Sequence, residues 1–463
     1  MNARRIDRFR VWPGRLAFTV TLAMAGLVAT NAAAETLQKE DQRGKQVREQ
    51  AADRAESPAS ADDVQQELDE LRRRLGLLAA EVERLRSGEA PAPERTFTEE
   101  RRRALGVAPS AAAAYRSPGG VTFAGYGEML FENFDADDQR GAGGPRASQL
   151  DFLRHIFYVG YRFDDRFLFN AEIEIEQANE ISVEFAYVDY LLNDALTIRG
   201  GMVLVPLGLV NEFHEPTVFL GARRPQTERR IIPTTWRKNG VGVLGSAGPI
   251  AYRAYLLNGL AATGFSAQGL RGGRQKGSRA LAGDFGFAGR FDVTPTPGVF
   301  VGAGLFTGGA DHGQLSLDGR TLGVGTTIVE LHGQAQVRGF DLRALYARAS
   351  LSDVAALNTA LGFDGVGISD TMQGGYVQIG YDVLSQFSRR IGMTPYYRWE
   401  RLNTQSDVPT GFLADLSQDG TFHTFGVEVR PRQGIVVKSD YEWLRNAART
   451  GRNQFNLSLG YAF

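Results

Sequence analysis

Phe455-Asn456-Leu457-Ser458-Leu459-Gly460-Tyr461-Ala462-Phe463 closes the chain, and its period decides the fold. Phe455, Leu457, Leu459, Tyr461 and Phe463 alternate with Asn456, Ser458, Gly460 and Ala462. Successive side chains of a strand point to opposite faces, so one face here is apolar or aromatic and the other small or polar. A helix would scatter the same residues around its surface. The pattern recurs upstream. In 168–176, Phe169, Ala171, Ile173 and Ile175 alternate with Asn170, Glu172, Glu174 and Glu176. In 422–430, Phe425, Val427 and Val429 alternate with Thr424, Gly426, Glu428 and Arg430; in 436–443, Val437, Tyr441 and Trp443 alternate with Lys438, Asp440 and Glu442.

A soluble β-sandwich also alternates, so the two faces have to be weighed. These segments run about 9–12 residues, enough to cross a bilayer at a tilt, whereas sandwich strands usually run about 5–6. Aromatic residues gather near segment ends, as in interfacial girdles. A sheet in lipid must close, because edge N–H and C=O groups would otherwise stay unpaired. Between residues 121 and 463 sixteen such segments can be counted, of which 181–193 and 240–260 alternate poorly. The expectation is an all-β chain: a transmembrane antiparallel barrel of about 16 strands over 121–463, wide enough to hold an aqueous channel.

Composition agrees. The 463 residues include 55 Gly, 28 Phe and 15 Tyr against 17 Pro, with 43% hydrophobic and 23% charged, which excludes a disordered chain and a bundle of apolar helices. There is no cysteine, so disulfides, thiolate metal sites and a Cys nucleophile are excluded. The net charge of −1 is not that of a nucleic-acid coat.

Residues 1–34 read as a signal peptide. Arg4, Arg5, Arg8, Arg10 and Arg15 precede a 14-residue apolar run, Leu16 to Ala29, and an Ala32-Ala33-Ala34 cleavage pattern. A spanning helix needs about 20 apolar residues. Residues 35–60 are polar and charge-mixed, a flexible segment. Val64, Leu68, Leu71, Leu75, Leu78, Val82 and Leu85 then follow one another at alternating spacings of four and three, the core seam of a coiled-coil helix over 61–87. Residues 88–120, with Pro91, Pro93 and Ser117-Pro118-Gly119-Gly120, read as linker.

Two stretches are candidates for lining a pore. Residues 207–239 are too long for a turn and carry Arg223, Arg224, Arg229, Arg230, Arg237 and Lys238 against Glu212, Glu215 and Glu228. Their apolar residues Phe213, Val218, Phe219, Ile231, Ile232 and Trp236 need burial, which favours folding inward as a basic, anion-facing constriction. The stretch 266–280 carries Arg271, Arg274, Lys276 and Arg279, and an ordinary external loop explains it equally well. Strand charges expected to face the lumen are mixed: Arg154, Arg162, Arg343 and Arg398 with Glu172, Glu174, Glu428 and Asp440.

No enzyme is expected. His155, His214, His312, His332 and His423 stand apart without metal-ligand spacing, so neither a metal nor another cofactor is expected. Gly240-Val241-Gly242-Val243-Leu244-Gly245 matches G-x-G-x-x-G but lacks a strand before it and a helix after it, and reads as strand glycine. A barrel lipase or protease would need a clustered Ser, His and carboxylate.

The chain resembles the phosphate-selective porin O/P family of Gram-negative outer-membrane porins over about 120–463. The stretches that carry the resemblance are Gly201-Met202-Val203-Leu204-Val205-Pro206-Leu207-Gly208, Asn211-Glu212-Phe213-His214-Glu215-Pro216, Arg223-Arg224-Pro225 and Ile232-Pro233-Thr234-Thr235-Trp236-Arg237. The resemblance implies a sixteen-stranded homotrimer with its third loop folded inward, and a terminal Phe463, with Tyr461, read by the barrel-assembly machinery. It implies passive diffusion of small anionic, phosphate-like solutes across the bacterial outer membrane, with lipid around the barrel. The coiled coil is then expected in the periplasm, and the net charge of −1 gives no reason to expect a nucleic-acid partner. The alternative is an envelope tether whose coiled coil bridges towards the cell wall.

Overall fold

A computed structural model of the protein describes residues 97–387 and 390–463. The expected signal peptide, flexible segment and coiled coil lie outside the described residues.

The described residues form a closed antiparallel barrel of sixteen strands in sequence order. They are β1 (Gly120–Phe134), β2 (Gln149–Arg162), β3 (Phe167–Glu176), β4 (Glu180–Leu191), β5 (Thr197–Leu204), β6 (Arg237–Ala247), β7 (Ile250–Asn258), β8 (Phe285–Thr296) and β9 (Val299–Gly309). A two-stranded hairpin, β10 (Ser316–Leu317) and β11 (Arg320–Thr321), interrupts them. The barrel resumes with β12 (Gly325–Val337), β13 (Phe340–Leu351), β14 (Thr371–Tyr381), β15 (Gly392–Asp407), β16 (Asp419–Arg432), β17 (Ile435–Asn446) and β18 (Gln454–Ala462). The last strand closes on the first with Met129 opposite Leu459 and Phe131 opposite Leu457. The G-x-G-x-x-G match falls within β6.

One end of the barrel carries short turns, such as 248–249, 297–298, 338–339 and 433–434, together with the chain's C-terminus. Arg338 and Gly339 both have positive φ (50° and 89°), the two-residue geometry that matches strand twist. The other end carries the long connections 135–148, 205–236, 259–284, 310–324 and 352–370. We call these the turn end and the loop end.

Alternation sorts the wall. Phe123, Phe157, Leu256, Phe287, Val301, Leu331, Val377, Ile379, Trp399 and Phe425 stand exposed on the outside, a continuous apolar belt. Among the described residues no helix is long and apolar enough to cross a membrane, and the belt belongs to strands. A closed barrel with an apolar exterior satisfies every wall N–H and C=O while presenting hydrocarbon to hydrocarbon, the architecture of a transmembrane porin-like barrel.

The interior departs from an open bore. Inward wall residues Leu244, Leu257, Ala288, Phe306, Ile328, Leu345, Ala347 and Met372 join an apolar core with loop residues Ile231, Ile232, Trp236, Leu260, Phe265 and Leu270. Residues 97–116, expected within a linker, also enter the barrel. Helix α1 (Glu99–Ala104) packs on β6 and β7, and α2 (Ala113–Arg116) on β1, β2 and β3. Thr98 caps α1 by accepting the Arg101 N–H, and Glu99 pairs with Arg102 and Arg103. The run 111–114 has only methyl side chains, so this strap lies flat against the wall. Gly160 of β2 makes room: a Cβ there would stand 2.3 Å from that of Ala114.

Candidate constriction inside the barrel

The loop 205–236 leaves β5 at the loop end, crosses the lumen and returns to β6. It holds one short helix, α3 (Gln226–Arg230). Its apolar residues anchor it: Phe219, Ile231, Ile232 and Trp236 are buried, and Trp236 packs edge-on against Phe306 with ring centroids 4.9 Å apart. Phe213 and Val218 are half-buried.

The far wall holds the loop by its backbone. Basic wall residues bind carbonyls: Lys438 Nζ donates to Phe219 O (2.7 Å) and Gly221 O (3.1 Å), and Arg343 Nη2 to Val218 O (2.8 Å). Acidic wall residues bind amides: Asp440 accepts Ala222 N–H (2.7 Å), and Glu400 accepts Gln226 N–H (2.9 Å) and Thr227 N–H (2.5 Å). Tyr376 donates to Glu228 Oε1 (2.6 Å), while Val210 N–H reaches Glu228 Oε2 (2.7 Å). Glu228 sits on the loop, outside the spanning strands, and burial lifts its carboxyl to about 7.

The strap is held by the same device on β2–β7. Arg199 Nη1 donates to Leu105 O (3.0 Å), Arg253 Nη1 to Arg103 O (2.8 Å), Asn170 Nδ2 to Ala111 O (3.1 Å) and Arg162 Nη2 to Tyr115 O (2.8 Å). Tyr115 OH donates to Asp189 (2.7 Å), itself gripped by Arg199 at 2.7 and 2.9 Å. Strap and loop meet where Ser110 N–H and Oγ both donate to Glu215 (2.9 and 3.0 Å).

The expected lumen-facing charges therefore sit as follows. Arg154, Glu172 and Glu174 of β2 and β3 point inward and are buried, with Arg154 3.5 Å from Glu174. Arg162, Arg343 and Asp440 hold the strap or the loop. Arg398 Nη2 reaches Arg223 O at 3.4 Å, and Glu428 pairs with Arg430 at 2.8 Å. In an aqueous bore these side chains would be hydrated; here Arg398 is 1% exposed and Glu172 0%. Water space persists towards the turn end as a cavity of about 470 Å³ whose lining includes Arg102, Arg103, Phe213, Arg343 and Arg430.

The loop cations divide in two. Arg237 and Lys238 belong to β6 and are committed to protein partners, correcting their expected place in the constriction: Arg237 to Glu184 (3.1 Å) and Ser182 (3.1 Å), Lys238 to Gly259 O. Arg223 contacts Gln454 (2.7 Å) and Glu132 (3.4 Å), and Arg230 contacts Gln418 (2.8 Å). Arg224 bonds Thr235 through Nη1 (2.9 Å), leaving its buried Nη2 without a partner. Arg271, from the 259–284 loop that folds over the first, has a buried Nη1 without a partner. The Arg229 guanidinium has no hydrogen bond or ion pair among the described residues. Burial, then repulsion from Arg223, Arg230 and Arg224, disfavours its charged form; burial, then Arg274, Arg229 and Arg224, does the same to Arg271. Arginine keeps its proton at neutral pH, so this cluster is short of negative charge.

Sequence reasoning missed Glu400, Tyr376, Asp189, Arg199 and the strap. The poor alternation of 181–193, where Asp189 lies, was the signal that this wall packs against chain.

Comparison with known proteins places the chain among relatives. No protein-family model matches the sequence. Among solved structures, the chain is similar to Salmonella typhi OmpF in complex with daunomycin (TM-score 0.49, 13% identity, 75% of this chain and 98% of that one). It is also similar to in-vitro folded OmpT of Vibrio cholerae in its trimer form (0.46, 12%, 75% and 100%) and to the outer membrane channel DcaP of Acinetobacter baumannii (0.45, 12%, 74% and 97%). An uncharacterized protein of Aquifex aeolicus (strain VF5) is 35% identical over 353 residues, 73% of this chain and 78% of that protein. At that identity and coverage, the chain belongs to the same protein family as the Aquifex aeolicus protein.

Proposed function

We propose that the protein is an outer-membrane channel for small anionic solutes, constricted by the inward loop and narrowed at the turn end by the strap. The observation that carries this reading is the cluster of Arg224, Arg229 and Arg271: Arg224 Nη2 and Arg271 Nη1 are buried without a partner, and the Arg229 guanidinium has no hydrogen bond or ion pair among the described residues. A planar fork of N–H donors matches carboxylate and phosphate oxygens, so phosphate-like oxyanions are the favoured solute class. Confinement between low-dielectric walls strengthens the field of these charges relative to bulk water. In this reading the turn end faces the periplasm, residues 61–87 clamp a homotrimer there, and the barrel-assembly machinery reads Phe463.

Planar-bilayer recording in a KCl gradient tests it. The zero-current potential should show anion preference, and Arg229→Glu should shift it towards cations without lowering the barrel's melting temperature. A cation-preferring wild type, or a barrel that never conducts even after the strap is cleaved, overturns the proposal.

A further inference from the structure

Three ionisable side chains, two from adjacent strands and one from the inward loop, meet inside the barrel. Glu172 of β3, Glu184 of β4 and His214 of the inward loop are 0%, 2% and 1% exposed. One ligand atom from each lies within 4.8 Å of the others. His214 Nε2 stands 2.9 Å from Glu184 Oε2 and 3.3 Å from Glu172 Oε1.

The imidazole is oriented by its other nitrogen. His214 Nδ1 lies 2.8 Å from the Asn211 carbonyl, which can only accept, so Nδ1 carries the proton. Asn211 is fixed in turn: its Nδ2 donates to Val205 O (2.8 Å) and Trp236 O (3.0 Å), and its Oδ1 accepts the Trp236 N–H (2.7 Å). An imidazole held by Nδ1–H to a carbonyl, with Nε2 directed at carboxylates, is the usual second shell of a metal-binding histidine.

The carboxylates are incompletely satisfied. Glu172 Oε1 accepts from Tyr126 OH (3.1 Å), and Glu184 Oε1 from Arg237 (3.1 Å). Glu172 Oε2 and Glu184 Oε2 are buried without a hydrogen bond. Glu184 Oε2 stands 2.9 Å from Nε2 yet makes no hydrogen bond to it. The surrounding charge is lopsided too. Glu128 and Glu174 pair with Arg154, and Glu184 with Arg237, while Glu172 pairs with no guanidinium; Arg224 turns to Thr235 instead.

The distances suit a cation among the three. Bonds of about 2.1 Å put neighbouring ligand atoms about 3.0 Å apart in octahedral and about 3.4 Å in tetrahedral geometry, the range of the two Nε2–oxygen separations. One imidazole and two carboxylates select a first-row divalent ion such as Zn²⁺ over Mg²⁺ or Ca²⁺. We propose that Glu172, Glu184 and His214 form a divalent transition-metal site that staples the inward loop to β3 and β4. The three ligands come from two strands and the loop, opposite the Asp440 and Glu400 anchors, so the ion would fix the loop's near side as those residues fix its far side.

The test uses the full chain in detergent, stripped with chelator, dialysed against ZnCl₂ and analysed for bound zinc by plasma emission. Wild type should hold one zinc per chain, His214→Gln and Glu172→Gln less than a tenth of that, and His155→Gln and His423→Gln the full amount. Zinc should raise the melting temperature of the wild type and leave that of His214→Gln unchanged. Two variants guard against loss of one to misfolding, and the heat-dependent gel shift of a folded barrel reports on each. A wild type that binds no more zinc than His214→Gln overturns the site and leaves an imidazolium ion pair in its place. The readout is metal content, so its failure is separate from any failure of the channel reading.

Discussion

Replacing Arg199 by Met should release the strap. Arg199 is 3% exposed and makes four hydrogen bonds, two to Asp189 and one each to Leu105 O and Tyr115 OH, the latter at 3.0 Å. The two bonds to the strap involve a charged donor, each contributing about 1.5–3 kcal/mol. Losing both weakens docking by about 3–6 kcal/mol, which raises the undocked fraction by about 10²–10⁴-fold at 1.4 kcal/mol per decade. The fold suffers separately, because Asp189 is left as a buried charge, a loss of about 3–5 kcal/mol when one partner of such a pair is removed. Asp189→Asn combined with Arg199→Met should restore much of the barrel's melting temperature, since no bare charge remains, yet leave the strap loose. Trypsin cleavage after Arg101, Arg102 and Arg103 reads docking, the heat-dependent gel shift reads the barrel, and single-channel conductance should rise with cleavage. If Arg199→Met is cut at the wild-type rate while its melting temperature falls, the strap does not depend on Arg199 and the argument fails.

Other outcomes follow from the same geometry. Glu228 is raised from its ordinary 4.5 to about 7, so the folded loop prefers the protonated acid; its contribution is full below about 4.5 and is lost as pH rises through about 7. Melting temperature should fall between about pH 4.5 and 7 and level off above, and Glu228→Gln should flatten that slope; an unchanged slope counts against the buried acid. Trp236→Ala empties a fully buried site against Phe306 and should destabilise the loop by about 3–5 kcal/mol, seen as faster cleavage at Arg229 and Arg230. Gly160→Val puts a side chain where Ala114 sits and should expose the strap to trypsin with the barrel intact; unaltered cleavage would show that the strap yields elsewhere.

The barrel was legible in the chain because its determinant is local. A period of two needs only consecutive residues, so β18 from Gln454 to Ala462 and β3 from Phe167 to Glu176 could be marked from sequence alone. Alternation fails where the inner face is not polar. Leu244, Leu257, Ala288 and Ala347 point inward yet are apolar or small, because they cover loop residues instead of water. The start of β6 was hidden for a related reason: Arg237 and Lys238 look like loop cations, but their charges end on Glu184 and on a carbonyl. The strap and the carboxylate–histidine cluster depend on residues 12 to 150 positions apart on different elements, and spacing along the chain carries no signal of their meeting.

The inner wall's charges do two different jobs, and only one bears on selectivity. The strap and the inward loop have little secondary structure, so their backbone groups need partners, and a buried unpaired group costs about 1–3 kcal/mol. The wall supplies those partners: Arg162, Arg199, Arg253, Arg343 and Lys438 meet carbonyls, while Asp440 and Glu400 meet amides. Charges spent on backbone are held in place by it, even where one nitrogen stays unpartnered, as Arg253 Nε does. Adding up every inward charge gives a mixed lumen and a weak preference, whereas Arg224, Arg229 and Arg271 form a positive cluster on the loops, with Arg224 Nη2 and Arg271 Nη1 unpartnered; the carboxylates with unpartnered oxygens, Glu172, Glu184 and Glu428, sit in the wall. The two views separate experimentally. Arg343→Gln should loosen the loop and leave the reversal potential near wild type, and Arg229→Gln should move the reversal potential and leave melting near wild type. A reversal potential that tracks Arg343 instead would mean that the wall, and not the leftover arginines, sets the selectivity.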